Sequence, residues 1–122
     1  MTSSARPRAH PRCRPWDVVV VPFPFSDRQA TKVRPAIVVS SEVLGKETGK
    51  YWLAMVTSAS HTPHHGDILI TDLRAAGLPG PSVVRASKLA TVEEQDIYKR
   101  TGAFPLADRQ SLAAQLAQFI AR

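Results

Sequence analysis

The chain has 122 residues, 43% of them hydrophobic and 21% charged, which is enough for one modest core and too little for two. That apolar share excludes a wholly disordered chain, and no apolar run reaches the ~18–20 residues of a membrane span. A single cysteine, Cys13, excludes an internal disulfide and fits a reducing compartment.

The formal charge of +6 is unevenly placed. Residues 1–14 carry Arg6, Arg8, Arg12 and Arg14 and no acid, and without them the charge falls to +2. With Pro7, Pro11 and Pro15, residues 1–15 read as a disordered basic tail. Two uses stay open for it: a non-specific anchor on phosphate backbones or a solvated leader. No apolar segment follows closely enough to make it a signal peptide, so a soluble cytoplasmic protein with no membrane contact is expected. Residues 16–122 are then the single folded domain.

Asp17-Val-Val-Val-Val21 is a β-branched run and reads as the first strand. Pro22 and Pro24 remove donors from one edge of it, so the strand leaves its sheet near Pro22. Ser26 to Val33 is polar and reads as an exposed loop. Arg34-Pro-Ala-Ile-Val-Val-Ser40 is a second strand, with Arg34 held extended at its start by the following proline. Glu42 to Lys50 is a connection with one helical turn. Tyr51 to Ser58 is a third strand ending in hydroxyls, Ala59 to Gly66 a loop, and Asp67 to Thr71 a short fourth strand. Ala75 to Pro81 must turn, Ser82 to Leu89 is a fifth strand, and Ile97 to Thr101 is a candidate sixth. Leu112, Leu116, Phe119 and Ile120 lie at helical spacing and predict a terminal amphipathic helix with Asp108 as N-cap. Together these elements predict a mainly β protein: a small, partly open barrel of five to six strands with a C-terminal amphipathic helix.

Val21-Pro-Phe-Pro-Phe-Ser-Asp27, followed by Lys32-Val-Arg-Pro-Ala-Ile-Val-Val-Ser40, Val56-Thr-Ser58 and Pro81-Ser-Val-Val-Arg85, resembles the MazF/PemK family of toxins. The resemblance runs from about residue 16 to the end. It implies an SH3-like or CcdB-like fold and a homodimer. It also implies the toxin of a type II toxin–antitoxin pair, held inactive by a cognate antitoxin. The implied activity is an endoribonuclease on single-stranded RNA that needs no metal or other cofactor. In it, the substrate's 2′-OH attacks the adjacent phosphate, leaving a 2′,3′-cyclic phosphate and a free 5′-OH.

That reaction needs a proton taken from the 2′-OH, charge stabilised at phosphorus, and a proton given to the 5′ oxygen. Arg34 is the candidate for the second task, because a guanidinium grips two phosphoryl oxygens and stays charged. Thr57 stands where the resemblance places a catalytic or phosphate-positioning threonine, and Ser58 could add a donor. Arg85, Ser87 and Lys88 are candidate RNA contacts, as are Arg28 and Lys32 in the first loop. One branch of the family carries a catalytic aspartate two residues after this arginine; here the position is Ser87, which cannot act as a carboxylate base. The base stays open. Asp27 is a candidate, set against a plain turn residue, and so is a histidine of His61-Thr-Pro-His-His65, set against an exposed loop. As a metal set those histidines lack thiol and carboxylate partners. Two alternatives to the ribonuclease also stay open: a toxin of the same fold that poisons DNA gyrase without hydrolysis, and a member that has lost catalysis.

Overall fold

The computed structural model describes residues 13–22 and 32–122. Six strands form one antiparallel sheet: β1 (Asp17–Val21), β2 (Arg34–Val38), β3 (Lys50–Ser58), β4 (Asp67–Leu69), β5 (Ser82–Glu93) and β6 (Lys99–Ala103). They lie in the order β4-β5-β3-β2-β1-β6. The sheet is not closed; β4 and β6 are its outer strands. The mainly β expectation with a C-terminal helix holds. The β-branched runs pair as central strands because both of their faces are covered.

Alternation along the strands builds two apolar layers. Val19, Val21, Ala36, Val38, Leu53 and Met55 point to one face, where Cys13, Tyr51 and Ile97 join them. Val18, Ile37, Ala54, Val56, Val84, Ala86, Phe104 and Leu112 pack on the other. Cys13 is buried, and desolvation together with nearby Asp17 and Glu94 pushes its thiol up to about 11. Among the described residues, Cys13 is thus the first that packs into the core.

Helix α1 (Glu42–Thr48) lies in the second connection and ends on Gly49 at φ 73°. Helix α2 (Leu73–Ala76) forms in a stretch read only as a turn. Asp72 caps it by accepting from the Ala75 N–H, and Gly77 at φ 72° closes it in the left-handed region. Helix α3 spans Leu106–Phe119. Asp108 is not its N-cap: Pro105 holds that place, and the buried Asp108 carboxylate accepts from the backbone N–H and hydroxyl of Thr71. The expected apolar stripe is only half used, since Leu112 is fully buried while Phe119 and Ile120 stand 42% and 57% exposed. Strand β6 begins at Lys99 rather than Ile97, because a 3-10 turn at Glu94–Asp96 directs Ile97 into the core.

Helix α2 rests directly on β6. A Cβ on Gly102 would overlap the Ala75 carbonyl and the Ala76 backbone, neither of which can swing aside. Gly102→Ala is therefore expected to cost about 1–3 kcal/mol, read as a lower denaturant midpoint with an unchanged slope. A midpoint equal to wild type would show that α2 is not seated as described.

Candidate active site

On β2 the side chains of Arg34, Ala36 and Val38 share one face, and on β3 those of Leu53, Met55 and Thr57 share the same one. The β2–β3 pairing sets Ala36 opposite Met55. The pairing ends at Ala36–Met55; continued two residues, its register brings Arg34 and Thr57 to the same end of that face. Met55 also pairs with Arg85 of β5, and Arg85 pairs with Asp67 of β4. Arg34, Thr57, Arg85 and Asp67 are thereby gathered from four strands at one end of one face.

A large bulge breaks β5 at this point. Ala54 and Met55 are adjacent on β3, yet their partners are Leu89 and Arg85. Ala86, Ser87 and Lys88 stand between those partners without a β3 counterpart. The bulge throws Ser87 outward, where it is exposed, and leaves Lys88 half-buried. With His64, Arg85 and Leu89 these two line a groove of about 380 Å3.

Arg85, a candidate RNA contact, is bonded within the chain. Its guanidinium donates from Nε to Asp67 Oδ1 and from Nη2 to Asp67 Oδ2, each at 3.0 Å, and Nη2 also donates to the Thr62 carbonyl at 3.0 Å. The two side chains are only 8% and 11% exposed. Burial pushes the Asp67 carboxyl up, but hydrogen bonds from Arg85 and from the His64 N–H outweigh it and leave the group below its ordinary value. Bonding to Asp67 raises Arg85 in turn, against desolvation. Arg85 thus holds the β3–β4 loop onto the sheet, and phosphate contact from its bonded nitrogens would break that tie.

The loop is pinned at further points. Ala59 N–H donates to the Pro81 carbonyl, His61 N–H to the Ser58 carbonyl, and Asp67 N–H to the His64 carbonyl. Ser58, a candidate substrate donor, has its Oγ 2.8 Å from Ser60 Oγ and accepts from the Ser60 N–H. This bracing delivers the His61 ring to Thr57: Nδ1 lies 2.7 Å from Thr57 Oγ1. Thr57 is 6% exposed, whereas His61 stands in solvent. His65 turns away, its ring 6.1 Å from that of Phe119. Lys32 is exposed just before β2. Asp27 and Arg28 lie outside the described residues. Among the described residues no three His, Cys, Asp or Glu side chains form a metal set, and no helix is long and apolar enough to cross a membrane.

Comparison with known families decides the relationship. The model of the PemK-like, MazF-like toxin of type II toxin–antitoxin systems matches residues 14–120. The chain belongs to this PemK/MazF toxin family. Solved structures share the family fold at low identity. The Mycobacterium tuberculosis toxin MazF-mt6 is 19% identical with TM-score 0.67, over 84% of this chain and 93% of that one. MazF from Deinococcus radiodurans is 18% identical with TM-score 0.70, over 88% and 94%. A mycobacterial endoribonuclease in complex with its cognate antitoxin is 14% identical with TM-score 0.70, over 87% and 92%. No curated protein sequence matches the chain. In this member of the PemK/MazF family, Asp67 escaped the sequence reading as a site residue. A signal for it existed: an arginine inside Ser82-Val-Val-Arg85-Ala must find a counter-charge when its strand is buried. Asp67, which opens the preceding strand, supplies it.

Proposed function

We propose that this PemK/MazF toxin is an endoribonuclease that cuts single-stranded RNA by attack of the substrate's own 2′-OH. The observation that carries the reading is that β2 and β3 pair so that Arg34 and Thr57 fall on one face just beyond the Ala36–Met55 pair, at the end that also holds the bulge groove. There a guanidinium can meet two phosphoryl oxygens and stabilise the charge that builds on them in the transition state. Because the nucleophile belongs to the substrate, no bound ion has to activate a water. The products are a 2′,3′-cyclic phosphate and a 5′-OH end, and cutting mRNA in the cytoplasm would arrest translation and growth. A cognate antitoxin is the expected inhibitor. A homodimer is the expected assembly, supported by Trp52 and Leu89, which lie on one sheet face and stand 47% and 37% exposed.

The test is incubation of antitoxin-free protein with a long single-stranded RNA in EDTA, followed by mapping of the ends. The expected result is cutting at a repeated short word with 5′-OH ends, and none in an RNA whose 2′-OH at that word is replaced by hydrogen. Folded protein that leaves the RNA whole would overturn the reading, and gyrase inhibition would be measured next.

A further inference from the structure

We propose that His61 is the general base of this site, with Thr57 serving to hold its ring. The inference rests on the ribonuclease reading and supplies the proton acceptor that Ser87 cannot be.

At this end of the sheet the described groups able to exchange a proton near neutrality are few. Arg34 and Arg85 stay charged through any ordinary pH. Asp67 accepts two bonds from Arg85 and one from the His64 N–H, which hold it ionised and make it a weak base. Lys88 is a cation. Two imidazoles remain: His64, which lines the groove, and His61, whose ring is bonded to Thr57 of the sheet.

That bond is compatible with either ring tautomer, and the base role requires one of them. In the tautomer that donates from Nδ1 to Thr57 Oγ1, Nε2 keeps its lone pair and is the ring nitrogen left to take a proton. A base held by a third group in this way is the usual design of a proton-transfer pair. The exposed imidazole also covers Thr57, so an RNA strand reaching this face meets His61 before the hydroxyl.

The step then balances. The O2′–P bond forms as P–O5′ breaks, and the 2′-OH proton passes to His61 Nε2. The departing 5′ oxygen takes its proton from water, and the hydroxide so formed is neutralised by the imidazolium. Arg34 faces the phosphoryl oxygens throughout.

The experiment compares wild type, His61→Asn, His61→Ala and His65→Asn in the RNA cleavage assay with EDTA, from pH 5 to 8. Asparagine can still donate to Thr57 Oγ1 but takes no proton. Both His61 variants are expected to cut about 10²-fold more slowly or worse, while His65→Asn stays within threefold. Wild-type cleavage should rise through the pH range in which imidazoles deprotonate, and the rise should vanish in His61→Asn. The other charged and titratable groups at this end of the sheet, Arg34, Arg85, Asp67, Lys88 and His64, are unchanged in both variants. Binding of an uncleavable 2′-deoxy strand should change by less than threefold. Retention of wild-type rate and pH profile by His61→Asn would overturn the base assignment, and would leave His61 as a prop for Thr57. Loss in a His64→Asn variant with His61→Asn unaffected would also overturn it. Intact RNA with wild type would overturn the ribonuclease reading and this inference together, so the two failures are distinguishable.

Discussion

Arg34→Ala is expected to slow RNA cleavage by about 10²–10³-fold, the usual loss when one charged donor to a transition state is removed. Arg34 is half-buried at the first position of β2, outside both apolar clusters. Its removal should shift the melting temperature by no more than about 3 °C. Arg34→Lys should recover little of the rate, because a lysine offers a point charge where a guanidinium offers a planar fork. The measurement is the initial rate on single-stranded RNA in EDTA, alongside binding of an uncleavable 2′-deoxy strand. Full activity in the alanine variant would remove Arg34 from the site. Equal loss of rate and binding would make it a docking residue that treats ground state and transition state alike.

Asp67→Asn should produce the largest loss of stability. It leaves the Arg85 guanidinium buried against an amide, and breaking a buried pair from one side costs about 3–5 kcal/mol. For a domain of this size that lowers the melting temperature by roughly 12–25 °C. The pH dependence follows from the direction of the carboxyl's shift. Asp67 titrates below its ordinary value in the folded chain, so its contribution is complete above the unfolded value near 3.9. It is lost as pH falls through the lower folded value. Melting curves of wild type and variant should therefore be far apart at pH 7 and converge in strong acid. A gap that persists unchanged in acid would show that the pair is not its source. The double variant Asp67→Leu with Arg85→Met should regain much of the stability by apolar packing. It should still cut RNA poorly, since nothing then ties the Thr62 carbonyl to the sheet and His61 loses its bracing.

The strands were legible because their apolar runs are β-branched, and Pro22 stops β1 where backbone chemistry requires. Helix α2 was not legible. Four residues carry too little periodicity, and the element exists through its Asp72 cap and its seat on β6. The Asp108 error has a similar origin. A lone acid before a helical pattern reads as a cap, and only the distant Thr71 reveals a buried tether. At the site, Arg34 and Thr57 were legible from short motifs at strand ends, but motifs do not show register. It is the β2–β3 pairing that brings Arg34 and Thr57 to one end of one face, and the three-residue bulge in β5 has no local sequence signature. The same blindness to pairing hid the partner of Arg85, which sits on the neighbouring strand.

A sheet that does not close leaves two outer strands whose backbone groups invite pairing with another chain. In this toxin both are blunted. Strand β4 is only three residues long, too short to template a growing ribbon. Strand β6 opens with Lys99 and Arg100 and carries α2 against it, where Thr101 Oγ1 reaches the Ala76 carbonyl. The long β-branched strands that would aggregate most readily, β1, β2 and β3, are all interior to the sheet. A protein so built resists amyloid-like stacking while folded, and it becomes prone to it only after β6 has peeled away from β1.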